Sequence, residues 1–122
     1  MAKVRNHHFY VCSHTHWDRE WYGSFEDFRM QLVDVTDELL DWLEDEPEFR
    51  CFNFDGQTIV LRDYLAIRPE RRDELRKFIS DGRIAVGPWY ILPDEFLVSG
   101  EAFVKNLAFG RRVAEEFGRG AN

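Results

Sequence analysis

Two rhythms of apolar residues alternate along this chain: short unbroken runs, and longer stretches where apolar residues return every three or four positions. His8 to Ser13 is nearly continuous apolar and aromatic, the pattern of a strand covered on both faces in a parallel sheet. Ser24, with Asp27 three residues on, is a helix-start signal, and Phe25, Phe28, Leu32, Val35, Leu39 and Trp42 make one apolar stripe that Pro47 closes. Arg50 to Phe54 reads as a second strand, and Thr58 to Ile67 as a short helix with Leu61 and Leu65 inward. Pro69 opens a further helix with Leu75, Phe78 and Ile79 on its inner face and Asp81-Gly82 as its stop. Ile84 to Trp89 is the third strand. Ser99 caps a last helix, on which Phe103, Leu107, Gly110, Ala114 and Phe117 recur at helical spacing before Gly118. This order implies an α/β fold, a parallel sheet with right-handed βα crossovers. No linker or repeat divides residues 1–122, and 119–122 read as a frayed tail.

In parallel α/β architectures ligands are handled at the C-terminal ends of the strands. Each strand here ends in reactive side chains: His14, His16, Asp18 and Trp21 after the first, Asp55 and Gln57 after the second, Trp89, Tyr90, Asp94 and Glu95 after the third. In an extended segment His14, His16 and Asp18 share a face, so two of them can grip one metal ion. A lone His-x-His is more often an ordinary turn, and Pro93-Asp94 alone would read as a loop turn. Asp55 has two readings of equal weight, a ligand for substrate hydroxyls and a cap for the helix that follows. Trp17 and Trp89 fit core packing.

The balance of 23 acidic against 16 basic residues supplies no basic stripe for a phosphate backbone, so nucleic acid is not an expected partner. No apolar run reaches the ~20 residues needed to span a bilayer, and the first residues lack a signal-peptide core, so no membrane partner and a cytoplasmic location are expected. Cys12 ends the first strand and Cys51 begins the second, which in parallel neighbours puts them roughly 10 Å or more apart. That exceeds the reach of a disulfide, and both read as small buried apolar residues in a reducing compartment.

The run His14-Thr15-His16-Trp17-Asp18-Arg19-Glu20-Trp21, then Asp55-Gly56-Gln57, then Gly87-Pro88-Trp89-Tyr90 and Pro93-Asp94-Glu95, resembles the N-terminal catalytic region of glycoside hydrolase family 38, the retaining α-mannosidases. The likeness runs from His8 to about Gly118 and is nearest the bacterial branch that includes mannosylglycerate hydrolases. It implies that these are the first three βα units of a seven-stranded β/α barrel, and that the chain is the N-terminal part of a longer catalytic domain. It further implies a metal-dependent, retaining hydrolysis of α-mannosides. By the same resemblance His16 and Asp18 match metal ligands, Asp94 the nucleophile that also coordinates the metal, and Trp21 the aromatic platform for the sugar. His14 matches no ligand and suits a hydrogen-bonding role behind the metal. Imidazole and carboxylate donors suit Zn²⁺, with Co²⁺ or Mn²⁺ as alternatives. The acid/base carboxylate and one more His ligand have no counterpart in this sequence. Two other readings remain open here: a metal-dependent carbohydrate deacetylase, and a non-catalytic remnant that self-associates through open sheet edges.

Overall fold

The computed structural model describes residues 7–118, so the proposed tail at 119–122 lies outside the described residues. Three short parallel strands, β1 (Ser13–His14), β2 (Phe52–Asn53) and β3 (Ile84–Ala85), form one sheet in the order β1-β2-β3. Between and after them lie helices α1 (Phe25–Asp45), α2 (Ile59–Leu65), α3 (Arg72–Ser80) and α4 (Gly100–Glu116), with a single 3₁₀ turn at Pro69–Arg71 leading into α3. The order matches the sequence reading, and the strands are shorter than it expected. Only two residues of each segment pair, and the expected first strand suffers most: Phe9, Tyr10 and Val11 are exposed rather than covered. β1 is the sheet's edge among the described residues, where nothing on its outer side extends the ladder.

α1 begins where expected. Asp27 N–H donates to Ser24 Oγ at 3.3 Å while the Asp27 carboxylate accepts from Ser24 N–H at 3.0 Å and Ser24 Oγ at 2.7 Å, a complete capping box. Its inner face differs from the expected stripe. Leu32, Val33, Thr36, Leu39, Leu40 and Leu43 are buried, whereas Val35 and Trp42 are exposed. The buried face must meet both α2 and α3, which turns the helix toward the 33/36/40/43 row. At its C-terminus the acidic run Glu44-Asp45-Glu46 is offset by Arg83, whose guanidinium donates to the carbonyls of Leu43, Glu46 and Phe49. A cation at the carbonyl end of a helix is what the helix dipole favours.

The core joins these α1 residues to Phe54, Ile59, Val60, Leu61 and Tyr64, to Leu75, Phe78 and Ile79, to Ile84, and to Val113 and Phe117. Leu65 is only partly buried and packs against it. Gly110 lets α4 touch the chain beyond β3: a Cβ there would lie 2.1 Å from the Pro88 carbonyl oxygen.

The expectation for the cysteines is overturned. Ser13 pairs with Phe52 and His14 with Asn53, so Cys12 stands opposite Cys51, and their sulfurs are 3.7 Å apart. Both precede their strands by one residue, which removes the offset expected from longer strands. Neither is buried: Cys12 is exposed and Cys51 half-buried.

Candidate functional site

The three strand exits converge through backbone contacts and one buried amide. Beyond β2 the chain turns sharply with Asp55 at φ +50° and Gly56 at φ +69°. Asp tolerates this left-handed conformation better than most residues, at a cost of about 1–3 kcal/mol that surrounding contacts must offset. Asp55 Oδ2 accepts from the Trp17 amide at 3.0 Å and lies 2.9 Å from His16 Nδ1. The helix-capping role weighed for Asp55 is therefore not what the structure has. α2 has no side-chain cap; its free N–H groups are met by carbonyls of the third exit, Ile59 N–H donating to Tyr90 O at 2.8 Å and Thr58 N–H to Trp89 O at 3.0 Å.

His16 follows from this geometry. In the neutral ring a proton on Nδ1 would be held by the carboxylate it faces, which leaves Nε2 as the atom able to bind a metal. That Nε2 lies 3.6 Å from Asp18 Oδ1, and both side chains are solvent-accessible. Two ligands on one tetrahedral zinc at ~2.0–2.1 Å stand about 3.3 Å apart. The pair fits a shared metal ion, with neutral imidazole and carboxylate the donor types zinc accepts.

Gln57, fully buried, ties the first exit to the third. Its Nε2 donates to Trp17 O at 2.8 Å and its Oε1 accepts from Leu92 N–H at 3.4 Å. Asn106 of α4 holds the same third loop, accepting from the amides of Tyr90 at 2.8 Å and Ile91 at 3.0 Å and donating to Ile91 O at 2.7 Å. Arg19 fastens the first loop to α2 through a two-pronged pair with the buried Asp63, 2.7 and 3.0 Å, while its guanidinium lies 4.2 Å over the Phe25 ring. The hydrogen bond to Asp63 raises the Arg19 pKa further above its ordinary value. The sequence reading places Gln57 at the second strand exit without giving it a role, and does not assign Asn106, Arg19 or Asp63 to the site. The amide beside Asp55-Gly56 was the one visible hint, since an uncharged Gln can be buried if both ends are paired.

A groove of about 330 Å³ runs along Trp17, Asp18, Arg19, Glu20, Trp21, Gln57, Ile91 and Leu92. A second hollow of about 550 Å³ shares Ile91 and Leu92 with the first and is also lined by Pro93, Asp94, Val98, Lys105 and Asn106 among others. Asp94 is exposed, its Oδ1 accepting from Phe96 N–H at 3.2 Å. Among the described residues no group of three or more His, Cys, Asp and Glu is arranged to hold a metal, so Asp94 is not gathered with His16 and Asp18. Trp21 is 65% exposed beside the groove, edge-on to Tyr22. His14 is exposed and its Nδ1 lies 3.2 Å from the Thr15 carbonyl; the carboxylate behind His16 is Asp55. Trp17 and Trp89, both half-buried, pack edge-on against Phe28 and Phe103, and Trp17 also borders the groove.

The model of the Glycosyl hydrolases family 38 N-terminal domain matches residues 6–121. The chain belongs to glycoside hydrolase family 38. That membership favours glycoside hydrolysis over the deacetylase reading. Over 110 residues the family 38 chain is 54% identical to a protein of Halalkalibacterium halodurans named "Putative mannosylglycerate hydrolase", covering 90% of this chain and 12% of that one. It superimposes on an α-mannosidase from Enterococcus faecalis V583 with a TM-score of 0.86 at 44% identity, covering 90% of this chain and 12% of the other. A second family 38 protein from Enterococcus faecalis gives a TM-score of 0.84 at 40% identity, with 93% and 13% covered. The chain thus spans about an eighth of the length of the relatives it matches.

Proposed function

We propose that this chain carries part of the active site of a metal-dependent, retaining α-mannosidase, acting on a carbohydrate substrate with an α-mannosidic bond. The observation that carries the reading is the His16–Asp18 pair, with Asp55 behind His16, at the exit of β1 in a chain that belongs to family 38. We assign its three parallel strands to the start of a seven-stranded β/α barrel and residues 1–122 to the N-terminal part of its catalytic domain. Open edges and strand exits that share one face support that assignment. No helix among the described residues is long and apolar enough to cross a membrane. A cytoplasmic location is part of the same proposal.

His16 Nε2 and Asp18 Oδ1 would hold the metal, Zn²⁺ with Co²⁺ or Mn²⁺ as alternatives, and Asp94 would complete this chain's share of the ligands. When bound, the metal orients neighbouring sugar hydroxyls and favours the ionised state of a nearby carboxylate. Asp55 keeps the His16 proton on Nδ1. Trp21 offers an exposed aromatic face for the sugar ring, and Gln57 fixes the loop of Trp17 against that of Leu92. Asp94 is the proposed nucleophile: its carboxylate oxygen bonds to the anomeric carbon as the bond to the leaving oxygen breaks, and water later releases the sugar. The second carboxyl group, which retaining enzymes place about 5 Å from the nucleophile, is not assigned among these residues.

Calorimetric titration with Zn²⁺ at neutral pH tests the metal site. The chain should bind zinc weakly and a His16→Ala, Asp18→Ala double variant should not. Equal affinity in both would sink the assignment. Without an assigned acid/base group the chain should give no turnover of an aryl α-mannoside, since loss of that group typically costs about 10²–10⁴-fold.

A further inference from the structure

Cys12 and Cys51 each lie one residue ahead of the paired Ser13 and Phe52. The Cys51 thiol donates to Cys12 Sγ across 3.7 Å, and both are free, one exposed and one half-buried. We infer that Cys12 and Cys51 form a dithiol site for small disulfide oxidants, closing reversibly into an intramolecular disulfide that ties the start of β1 to the start of β2.

Strands in a sheet lie about 4.8 Å apart, inside the ~4.4–6.8 Å range of Cα separations that disulfides span. The sulfurs start in contact and must close to about 2.05 Å. The chain ahead of Ser13 can supply that movement: residues 7–12 have no regular structure, and Phe9, Tyr10 and Val11 bury nothing that the shift would disturb. The hydrogen bond from Cys51 raises the Cys12 pKa.

The chemistry balances as thiol–disulfide exchange with an oxidant RSSR. One protein thiol loses its proton and attacks a sulfur of RSSR; the S–S bond breaks, and the departing thiolate takes up a proton as RSH. The neighbouring thiol, deprotonated in turn, attacks the protein sulfur of the mixed disulfide and expels a second RSH. The protein loses two hydrogens and two electrons, and the oxidant gains them. Because the second thiol is already 3.7 Å away, this step outruns capture of another oxidant molecule. His16 follows Cys12 by four residues and Asp55 follows Cys51 by four, so the bond would fasten together the two strands whose exits meet at His16 Nδ1 and Asp55 Oδ2.

The test is incubation of the purified chain with oxidised glutathione under native conditions, followed by intact mass, thiol titration and peptide mapping. The expected product lacks two hydrogens, carries no glutathione, joins the Cys12 and Cys51 peptides, and returns to the dithiol with dithiothreitol. Cys12→Ser and Cys51→Ser should each stop at a stable adduct with one glutathione. Three outcomes in the unsubstituted chain would overturn the proposal, whatever the variants do: lasting glutathione adducts, disulfide-linked dimers, or a dithiol that survives conditions oxidising free dithiothreitol.

Discussion

Asp55 has the most to do for its size. It occupies a left-handed backbone position, accepts the Trp17 amide and faces His16 Nδ1, so one carboxylate sets both the path of the first loop and the tautomer of its histidine. Ligands left without such a carboxylate typically lose about 10–100-fold in metal affinity. Asp55→Ala should therefore weaken zinc binding by that factor while circular dichroism remains that of the folded chain; unchanged affinity would detach Asp55 from the site. The His16–Asp18 pairing is legible in the sequence because the two are neighbours but one, and any turn at a strand exit can bring them together. The role of Asp55 is not, because it depends on the register of β1 against β2, which pairs Ser13 with Phe52 and no local pattern specifies. The same register misled the reading of Cys12 and Cys51. Asp94 is the converse case: its place after the third strand is legible, its role comes from resemblance, and its carboxylate accepts only a turn hydrogen bond from Phe96 among the described residues.

Element by element, helices were read better than strands. Ser24, Pro69, Gly82 and Ser99 fix helix ends through local hydrogen bonding and backbone geometry, so the helix limits fall close to expectation. Strand length depends on partners elsewhere in the chain, and the edge position of β1 and the two-residue ladders could not be inferred. The Ser24–Asp27 box carries a pH signature. Hydrogen bonds from the Ser24 side chain, then from its backbone, hold Asp27 below the ordinary carboxylate range. A depressed folded pKa adds stability that is fully present above the unfolded value and is lost as pH falls through the lower, folded one. In acid-unfolding curves the wild type should be more stable than Asp27→Asn at neutral pH, and the two should converge at the acidic end. A constant gap down to the lowest pH would assign the effect to something other than this carboxylate. α4 offers a steric test. At Gly110 a Cβ would meet Pro88 O at 2.1 Å, Trp89 C at 2.3 Å and Tyr90 N at 2.5 Å, all backbone atoms that no rotamer change can move aside. Gly110→Ala should cost about 1–3 kcal/mol in urea unfolding through overpacking, despite alanine's better helix propensity of roughly 1 kcal/mol.

At the scale of the whole molecule, the helices and the sheet close one core, and much apolar surface is left outside it. Phe9 is 89% exposed, Tyr10 94% and Phe96 96%, with Leu97, Val104 and Phe109 also open. Both outer strands of the sheet present unpaired edges among the described residues, and on the β1 side the exposed Phe9-Tyr10-Val11 run continues that edge. Each large apolar side chain left in water forgoes roughly 1.5–3 kcal/mol of burial, and a few such losses rival the ~5–15 kcal/mol that keeps a domain folded. The net charge of −7 opposes close approach of copies, yet at physiological salt its reach is only about 8 Å, too short to shield patches already in contact. The purified chain by itself should therefore self-associate, the more so as salt is raised, since added ions weaken the repulsion and leave apolar attraction in place. Light scattering across a series of concentrations and salt levels checks this. A monodisperse monomer that melts cooperatively at an ordinary mesophilic temperature would show that the core outweighs the exposed surface and edges.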